Sequence, residues 1–444
     1  MNIALEETIL YSITFLVCFT IVAFYIVRDK RKSKTIEEKV KIAKKAGKFE
    51  PISLHPFINL DTCIGSGACV KACPEKDILG IVNGKATVIN ASSCIGHGAC
   101  FHACPVEAIS LRIGTEKRGV DLPHIKPTYE TNVPGIYIAG ELGGMGLIKN
   151  STEQGKQAID NLVKKKKPTV PNILDLVIVG AGPAGIAAAL NAKKNNLTFK
   201  IVEQDSLGGT VFTFPREKVV MTNPMDLPLY GKLKLFNTTK LELLNIWQDI
   251  LKQHDIQIQE HTKIDSIAQM ENGPFKLSYQ TDKELISNQV LIAIGRRGTP
   301  RKLGVPGEES TKVAYRLLEL ENIKNKKVLV VGGGDSAIES AMLLMKNNEV
   351  TLSYRKDKFA RIKSQNQTNI DKAILEQKIK PVFNSNLVEI FDNSITFSIK
   401  NKPEIHSLEN DLVYIFAGGE LPIQFLKNAG ISVEKTFGKI VRKY

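Results

Sequence analysis

The sequence predicts an α/β protein in which two parallel-sheet units are joined to a small α+β unit and to one apolar N-terminal helix. Three observations support this prediction. A buried strand turns through glycines into a helix at two places, in residues 175–194 and 327–346. Six of the seven cysteines lie in two matching motifs between Cys63 and Cys104. An uncharged apolar run occupies Thr8–Val27.

Length and composition place the chain among ordinary globular proteins. Its 444 residues suffice for two or three domains, and 43% hydrophobic with 24% charged residues requires no extensive disorder. The net charge of +14 comes mainly from Arg28–Lys48, with ten basic and three acidic residues, and from Lys164–Lys167. The remainder is near neutral, so no nucleic-acid surface is expected. The clustered thiols indicate metal binding in a reducing compartment rather than a disulfide framework.

Residues 1–27 are predicted to form a transmembrane anchor. The Thr8–Val27 run is long enough to cross a hydrocarbon layer of about 30 Å. Acidic residues precede the run and basic residues follow it, which argues against a cleaved signal peptide. The same charge order predicts a single-pass protein of the cell membrane, with its N-terminus outside and its domains in the cytoplasm. Residues 28–55 are predicted to be a basic stem, either lying along an anionic membrane surface or forming a solvated linker.

Residues 56–115 contain an internal repeat. The sequence CIGSGACVKACP at 63–74 recurs as CIGHGACFHACP at 94–105. Both copies closely resemble the C-x2-C-x2-C-x3-C-P motif of bacterial two-cluster ferredoxins, with Ser66 and His97 where the second cysteine belongs. The resemblance implies a ferredoxin domain that binds two iron–sulfur clusters, for which thiolates are suitable soft ligands.

The resemblance also implies how the ligands are shared, because the fourth cysteine of each ferredoxin motif reaches the other cluster. The two implied sets are Cys63, Cys69 and Cys104, and Cys73, Cys94 and Cys100. Ser66 and His97 either provide the fourth ligand or leave a vacant corner and a three-iron cluster. We expect a four-iron cluster with His97 as ligand, and a Ser66 site that is three-iron or holds its fourth iron weakly. The alternative is a zinc-holding or cluster-free relic.

The first glycine turn predicts a dinucleotide site in residues 172–312. The sequence DLVIVGAGPAG at 175–185 is a buried strand followed by a helix that continues to about Lys194. Gly180 permits the tight turn, Gly182 allows close approach of a pyrophosphate, and Gly185 lets helix and strand pack together. The helix N-terminus stabilises the negative charge.

An acidic residue completes this site. Strand Leu197–Val202 ends at Glu203, whose carboxylate suits the ribose hydroxyls of a dinucleotide. Val290–Gly295 resembles the strand and turn that lead back to the FAD domain in thioredoxin-reductase-like flavoproteins, which implies that Gly298–Pro306 is the crossover that follows. The predicted contacts of the first dinucleotide are Gly180, Gly182, Pro183, Ala184, Gly185, Glu203, Gln204 and Gly295.

Residues 119–163 contain a displaced motif. TNVPGIYIAGE at 131–141 closely resembles the T-x-x-P-G-[IV]-[YF]-A-x-G-[DE] signature that ends the FAD domain of thioredoxin-reductase-like flavoproteins. The resemblance implies that Gly140 and Glu141 lie near the flavin ribitol and that the N-terminus of a helix over about Ser151–Val163 faces the flavin. The family has this segment after its NAD(P) domain, so we infer a circular permutation with residues 164–171 as linker.

From Ile173 onwards the chain resembles the same flavoproteins, which implies two Rossmann-like domains, FAD-binding at 172–312 and NAD(P)-binding at 313–424. The second turn, GGGDSA at 332–337, stands between a strand over Lys327–Val331 and a helix over Ile338–Lys346. Ala can replace the third glycine of the motif. Ala417–Glu420 resembles the closing turn of the NAD(P) domain, and residues 425–444 are predicted to be a C-terminal tail.

Strand Val350–Tyr354 is followed by basic residues and has no acid at its end. This pattern suits a 2′-phosphate and favours NADPH over NADH. The family motif H-R-R-x-x-x-R is matched incompletely, since Tyr354 and Lys356 depart from it, and NADH stays the alternative. The predicted contacts of the second dinucleotide are Gly332, Gly334, Asp335, Ser336, Ala337, Arg355, Lys356 and Arg361.

The resemblances imply a flavoprotein oxidoreductase, similar to ferredoxin–NAD(P) reductases, that moves electrons between NAD(P)H, FAD and iron–sulfur clusters, and the apolar run predicts that it is anchored in the membrane. Disulfide-reducing members carry C-x-x-C before the second turn, whereas residues 314–327 contain no cysteine. The alternatives are a quinone or membrane-cytochrome reductase, and a redox sensor with little turnover. Expected partners are a ferredoxin, a cytochrome or a quinone, the membrane, and a second copy in a homodimer; no catalytic side chain is assigned.

Overall fold

The computed structural model describes residues 3–45, 49–51, 53–75, 77–94, 96–144, 146–165, 171–214, 219–221, 224–233, 235, 237–271, 273–296, 299–317, 320–359 and 362–442. These residues form two compact units, Met1–Val120 with Phe437–Tyr444, and Asp121–Thr436.

The α-helices, in chain order, are α1 (Ile3–Lys45), α2 (Ala68–Ala72), α3 (Ala99–His102), α4 (Ile148–Val163), α5 (Pro183–Lys194), α6 (Lys240–Gln253), α7 (Asp335–Leu344), α8 (Ser364–Leu375) and α9 (Ile423–Asn428). The strands are β1 (Leu54–Ile58), β2 (Leu79–Val82), β3 (Lys85–Val88), β4 (Ile109–Ile113), β5 (Val120–Pro123), β6 (Ile136–Ile138), β7 (Leu174–Val179), β8 (Phe199–Val202), β9 (Val219–Met221), β10 (Met225–Leu227), β11 (Gly231–Leu233), β12 (Asn237–Thr239), β13 (Ile258–Gln259), β14 (Ser266–Gln269), β15 (Phe275–Tyr279), β16 (Lys283–Ile292), β17 (Thr299–Pro300), β18 (Val313–Ala314), β19 (Lys327–Val331), β20 (Glu349–Tyr354), β21 (Ile379–Phe383), β22 (Ser385–Ile390), β23 (Ser394–Ile399), β24 (Ile405–Glu409), β25 (Leu412–Ile415), β26 (Gly419–Glu420), β27 (Val433–Thr436) and β28 (Lys439–Arg442).

The first unit is a small α+β body built around the cysteine repeat. Strand β4 pairs antiparallel with β1 on one side and with β28 on the other, and β2 and β3 form a hairpin. Alternate residues of β4 are buried, as a sheet with one covered face requires. The short helices α2 and α3 each begin after a glycine in the left-handed conformation, Gly67 (φ 72°) and Gly98 (φ 71°).

Helix α1 continues from the apolar run into the basic stem without a break. Phe15 is 74% exposed and Phe19 is 60% exposed. Among the described residues this is the one helix long and apolar enough to cross a membrane, a property that an N-terminal signal sequence shares. Residues 28–45 belong to the predicted basic stem. They are helical and pack against the β2–β3 hairpin, because one face of the helix carries Ile36 and the buried Ala43.

The second unit contains two sheets, of which the first has the order β13-β8-β7-β16-β15-β14, with β6 beside the end of β16. Strands β6, β7, β8, β13 and the last residues of β16 are parallel. Residues of β7 are buried on both faces: Leu176 and Ile178 pack with helices α4 and α5, whereas Val177 and Val179 pack with residues of β6 and β15. This burial explains why the sequence of β7 is an almost continuous apolar run.

The other sheet of this unit is parallel, with the order β18-β25-β19-β20-β21. Helix α7 covers one face, where Val328 and Val330 pack against Ile338. The antiparallel sheet β22-β23-β24 covers the other face, where Leu329 packs against Ile395. Strand β17 pairs with β26, so the chain segment that enters this sheet and the segment that leaves it lie side by side.

Several element boundaries differ from the predictions. Helix α4 begins at Ile148 and not at Ser151, α7 covers Asp335–Leu344, and β16 ends at Ile292. The largest difference is the predicted tail over residues 425–444, which forms part of α9 and the strands β27 and β28. These strands pair with β5 and β4, since their apolar residues find partners that are distant in sequence.

Candidate cofactor sites

The first glycine turn lies where the carboxyl end of β7 meets the N-terminus of α5. Gly180 has φ +107°, and a side-chain carbon there would lie 2.6 Å from the carbonyl oxygen of Ala293. A side-chain carbon at Gly185 would lie 1.8 Å from the carbonyl oxygen of Gly180. The N–H of Gly208 donates to the carbonyl of Ala181 over 2.9 Å and so joins the loop after β8 to the turn. Both predicted glycines are therefore required by backbone packing.

The start of α5 is bounded by a second glycine loop. Gly182 is the N-cap residue, and Pro183 and Ala184 begin the helix. A side-chain carbon at Gly209 would lie 3.4 Å from Cα of Gly182. Proline suits position 183 because an N–H at the first helical position would have no partner within the helix, and proline has no N–H. The arrangement leaves the remaining N–H groups of the first helical turn beside small residues, as pyrophosphate binding requires.

Glu203 is fixed beside this turn. The residue is 6% exposed, its Oε2 accepts the Ala181 N–H over 2.7 Å, and its Oε1 accepts the Asp205 N–H over 3.0 Å. Burial raises the pKa of the Glu203 carboxyl, and the two backbone N–H groups act in the opposite direction. Each carboxylate oxygen keeps a lone pair for a further donor, which suits two ribose hydroxyls. Gln204 follows and is half-buried.

The displaced segment reaches the same turn. Strand β6 pairs in parallel with β16, and the backbone then passes Gly140, whose side-chain carbon, if present, would lie 3.2 Å from Cβ of Ala184. Glu141 is half-buried and begins a short 3-10 turn. In α4, a side-chain carbon at Gly155 would lie 2.0 Å from the carbonyl oxygen of Ala184. Residues from both parts of the chain thus meet at the first turn of α5, while Gly295 follows β16 with φ +66°.

The second glycine turn has the same construction, so residues of the two turns can be matched. Glu203 follows the strand residue whose carbonyl accepts the Gly180 N–H over 2.7 Å. Tyr354 follows the strand residue whose carbonyl accepts the Gly332 N–H over 2.9 Å. Tyr354 therefore occupies in the second turn the place that Glu203 occupies in the first. Its ring covers Gly333, where a side-chain carbon would lie 2.3 Å from the ring.

Helix α7 begins directly after this turn. Gly334 is its exposed N-cap residue, Ser336 is exposed, and Ala337 is completely buried. The carboxylate of Asp335 accepts the N–H of Lys363 over 2.9 Å and the side-chain amide of Asn366 over 2.6 Å. Asp335 thus ties the start of α7 to the start of α8.

The basic residues predicted for the second dinucleotide follow Tyr354. Arg355 and Lys356 are both exposed, immediately after the carboxyl end of β20. Arg361 lies outside the described residues. Two cations therefore stand next to the residue that replaces an acid, at the edge of the sheet where dinucleotides bind.

Three of the thiols surround one cavity. Cys63, Cys69 and Cys104 line about 290 Å³ of space between protein atoms, part of which is open to solvent. Ser66 lines the same space and is exposed, and its hydroxyl oxygen accepts the N–H of Ala68 over 3.4 Å. The cavity thus has three thiols and one hydroxyl, as the sequence motif predicted for one of its sites.

The other three thiols form a second group, in which Cys100 is buried and Cys73 and Cys94 are half-buried. Burial, with the charges of Cys94 and Cys73, raises the pKa of Cys100 to about 12. Burial, with the charges of Cys73 and Glu75, raises the pKa of Cys94 to about 11. Iron binds thiolates, so loading of this group must release protons. Burial lowers the pKa of the neighbouring His97, which keeps a ring nitrogen free to act as a ligand at neutral pH.

Glu75 is a residue of this second group that the sequence motif did not reveal. Its carboxylate raises the pKa of Cys73, Cys94 and His97, so its charge acts on all three. In the sequence it follows only a Cys-Pro pair. No spacing rule marks it, because its position depends on how the two halves of the repeat pack together.

The sulfur atoms are prepared for anionic ligation by backbone donors. The Ala86 N–H lies 3.4 Å from Sγ of Cys63, and the Ala108 N–H lies 3.2 Å from Sγ of Cys104. Among the described residues, no three His, Cys, Asp or Glu side chains are grouped closely enough for a single metal ion. A four-iron cluster does not need such a group, since each thiolate binds a different iron. The donor set therefore fits iron–sulfur clusters better than zinc.

Two dinucleotide turns on parallel sheets, together with a thiol domain that carries the two cysteine groups between Cys63 and Cys104, define an iron–sulfur flavoprotein reductase. The family model described as pyridine nucleotide-disulphide oxidoreductase matches residues 177–441, and that of a 4Fe-4S dicluster domain matches residues 55–105. The chain belongs to the pyridine nucleotide-disulphide oxidoreductase family. It is an FAD-dependent NAD(P)H oxidoreductase, and its cofactors are FAD, NADP(H) and two 4Fe-4S clusters.

Individual relatives agree with this assignment. A bacilliredoxin reductase of Bacillus subtilis is 24% identical over 59% of this chain and 82% of its own. A ferredoxin–NADP reductase of Ignicoccus hospitalis is 30% identical over 42% of this chain and 57% of its own. A bacillithiol disulfide reductase structure from Staphylococcus aureus has 23% identity and a TM-score of 0.51, covering 60% of this chain and 85% of its own. The predicted fold class is confirmed.

Proposed function

We propose that this protein transfers electrons between NADPH and a redox partner through its FAD and iron–sulfur sites, as a membrane-anchored enzyme similar to ferredoxin–NADP reductases. One observation carries the proposal. All six cysteines outside helix α1 belong to the thiol domain, and the reductase part of the chain contains none. A reductase without a dithiol must deliver its electrons elsewhere, and the chain carries its own acceptor sites. Bound FAD supplies hydride acceptance and single-electron release.

The residues around the first turn are proposed to bind FAD. The N–H groups at the start of α5 hold the pyrophosphate, and Glu203 accepts hydrogen bonds from the adenosine ribose, with Gln204 beside it. Gly140 and Glu141 stand near the ribitol. The absence of a side chain at Gly140 and Gly155 lets the displaced segment approach Ala184 closely, which supports the use of both parts of the chain in one site.

The segment arrangement is proposed to be a circular permutation, with residues 119–163 completing the FAD domain and residues 164–171 linking them to its first strand. The parallel pairing of β6 with β16 supports this proposal. A second copy of the chain is proposed to pair with the first in a homodimer, by likeness to thioredoxin-reductase-like flavoproteins.

The second turn is proposed to select NADPH. An acid at the position of Tyr354 would repel a 2′-phosphate, whereas the tyrosine ring is neutral and Arg355 and Lys356 follow it. Removing either cation deletes a charge-assisted contact of about 1.5–3 kcal/mol. We expect Arg355→Ala and Lys356→Ala each to raise the KM for NADPH about tenfold or more.

The measurement is steady-state oxidation of NADPH and of NADH. The KM for NADH should change little in both variants, and Lys380→Ala, which removes an exposed cation from β21, should leave the preference intact. Equal losses with NADPH and NADH would contradict recognition of the 2′-phosphate.

Helix α1 is proposed to anchor the protein in the cell membrane with the N-terminus outside and the remaining domains in the cytoplasm. The exposed apolar surface of residues 8–27 and the basic residues after them support this orientation. An anchor favours a membrane acceptor, so a quinone or a membrane cytochrome is the second candidate partner beside a soluble ferredoxin.

The test of the proposed function is anaerobic reduction of the purified protein by NADPH, followed optically and by electron paramagnetic resonance. We expect bleaching of the flavin absorbance and then resonance signals of reduced clusters. A flavin that is reduced while the clusters stay oxidised without any acceptor, and that does not reduce an added acceptor, would contradict the proposed electron route and favour a redox sensor.

A further inference from the structure

Helix α1 determines which end of the thiol domain lies nearer to the apolar run. The β2–β3 hairpin lies along α1: Lys39 pairs with Asp77 at 2.6 Å, and the Ser33 hydroxyl oxygen accepts the Asn83 N–H over 2.9 Å. The contact nearer the N-terminus of α1, at Ser33, is with the hairpin turn, whereas the contact nearer its C-terminus, at Lys39, is with a residue just before β2. The turn at Asn83 is therefore the end of the hairpin nearest to the apolar run.

The distance from this turn to the apolar run follows from helix geometry. Ser33 stands about 9 Å along the axis from Val27, and Lys39 about 18 Å, at a rise of about 1.5 Å per residue. The polar headgroup region on each side of a bilayer is about 5–8 Å thick. If residues 8–27 lie in the hydrocarbon layer, the hairpin turn lies at the outer limit of the headgroups.

The cavity of Cys63, Cys69 and Cys104 belongs to this end of the domain. A side-chain carbon at Gly65 would lie 1.9 Å from the carbonyl oxygen of Gly84, so the loop after Cys63 packs directly on the hairpin turn. Lys85 donates from Nζ to the Cys63 carbonyl over 2.6 Å. The second thiol group includes Cys73, which precedes Asp77 by four residues, at the other end of the hairpin.

The loop beside this cavity presents two apolar side chains, which flank the exposed Asp61 and Thr62. Leu60 is 54% exposed and Ile64 is 64% exposed, and both adjoin the turn that the Cys63 N–H closes on Asn59 over 3.0 Å. The adjoining part of α1 presents five exposed cations, namely Arg28, Lys30, Arg31, Lys32 and Lys34. Apolar side chains next to cations match the interface of an anionic bilayer.

We propose that the loop over residues 60–66 rests on the phospholipid surface, so that the Cys63 site is where electrons pass to a quinone dissolved in the membrane. The overall reaction is NADPH, one proton and a quinone giving NADP⁺ and a quinol, with both electrons passing singly through the Cys63 site. The inference rests on the proposed membrane anchor and names the acceptor class of the proposed function. The exposed Ser66, which lines the same cavity, then faces the phospholipid surface.

The test measures depth in the bilayer with the full-length protein in nanodiscs of phosphatidylcholine and phosphatidylglycerol. A fluorophore is attached at Leu60→Cys or at Ile42→Cys, each in a Cys18→Ser chain whose iron content is confirmed. Ile42 is a matched control, since it is 68% exposed and lies about 22 Å along α1 from Val27. Lipids with a headgroup nitroxide should quench the label at residue 60 at least about threefold more than the label at residue 42.

Equal quenching at residues 60 and 42 would overturn the inference. Labelling of the native Cys18 separates this outcome from failure of the anchor, because Cys18 lies within the apolar run and should be quenched by acyl-chain nitroxides. Quenching at Cys18 without quenching at residue 60 rejects the docking surface alone. No quenching at Cys18 rejects the anchor, and the inference with it.

A second measurement tests whether electrons leave the protein at the Cys63 site. Leu60→Glu should reduce the rate of quinone reduction in the nanodisc about tenfold while ferricyanide reduction in water is maintained, because the carboxylate must be dehydrated to enter the interface. Ile42→Glu should leave both rates unchanged. If the Leu60→Glu and Ile42→Glu variants reduce quinone equally fast, electrons do not pass to quinone at the Cys63 site.

Discussion

A chain shortened to Ile173–Tyr444 should be obtained without FAD, although it retains the complete first glycine turn and Glu203. Helix α4 and strand β6 are absent from it, and they supply buried residues of the core against which α5 packs, including Ile159 and Leu162. Each large apolar side chain so removed costs about 1.5–3 kcal/mol of burial. Flavin absorbance per chain should be close to zero, and addition of residues 119–163 should restore it.

A point substitution tests the same contact within the full chain. Gly155→Val places a side chain where even Cβ would lie 2.0 Å from the carbonyl oxygen of Ala184, so α4 must move away from α5. Overpacking of this kind costs about 1–3 kcal/mol or more. We expect lower FAD occupancy and a lower Tm. Lys149→Ala, on an exposed position of the same helix, should alter neither.

Stoichiometric FAD in the shortened chain would contradict the permutation. So would a Gly155→Val protein with normal flavin content. Restoration of FAD by residues 119–163 added as a separate chain would show in addition that the linker over residues 164–171 is not needed for binding.

Cys69→Ala should abolish electron transfer from the flavin to the acceptor while hydride transfer from NADPH to the flavin is retained. Cys69 is buried and lines the cavity together with Cys63 and Cys104, so alanine removes one of three thiolates from that site. A site with two thiolates and one hydroxyl should not hold a cluster. Iron content should therefore fall by about half, and acceptor reduction should be nearly lost.

The measurements are iron analysis, electron paramagnetic resonance and the rate of flavin bleaching by NADPH. Cys18→Ala is the matched control, because Cys18 is exposed on α1 and far in sequence from the thiol motifs. It should change none of the three readings. Unchanged acceptor reduction in a Cys69→Ala protein that has lost one cluster would show that this site lies outside the electron route.

The local parts of the cofactor sites could be predicted from the sequence because each depends on residues close together in the chain. A strand that turns through Gly180 into a helix needs glycine for backbone reasons alone, and the packing of Gly185 on Gly180 is a contact between neighbours. The cysteine spacing likewise reflects short loops that begin α2 and α3. Family membership confirms the type of enzyme and its cofactors.

Other features required the three-dimensional arrangement. The match between Tyr354 and Glu203 depends on strand register, which pattern alone does not fix. The charge of Glu75 acts on His97 because the two motif copies pack against each other, and the sequence shows only a glutamate after Cys-Pro. The predicted tail was wrong since short strands such as β28 carry little signal until a partner edge is available.

The sequence by itself determined the two glycine turns, the six clustered cysteines and the apolar N-terminal run, since each is encoded by local spacing and composition. The tertiary structure decided that β6 joins β16 and that the β2–β3 hairpin lies along α1 with its turn towards the apolar run. These relations join residues distant in the chain, and their energies come from backbone pairing and burial between elements, which no single segment contains.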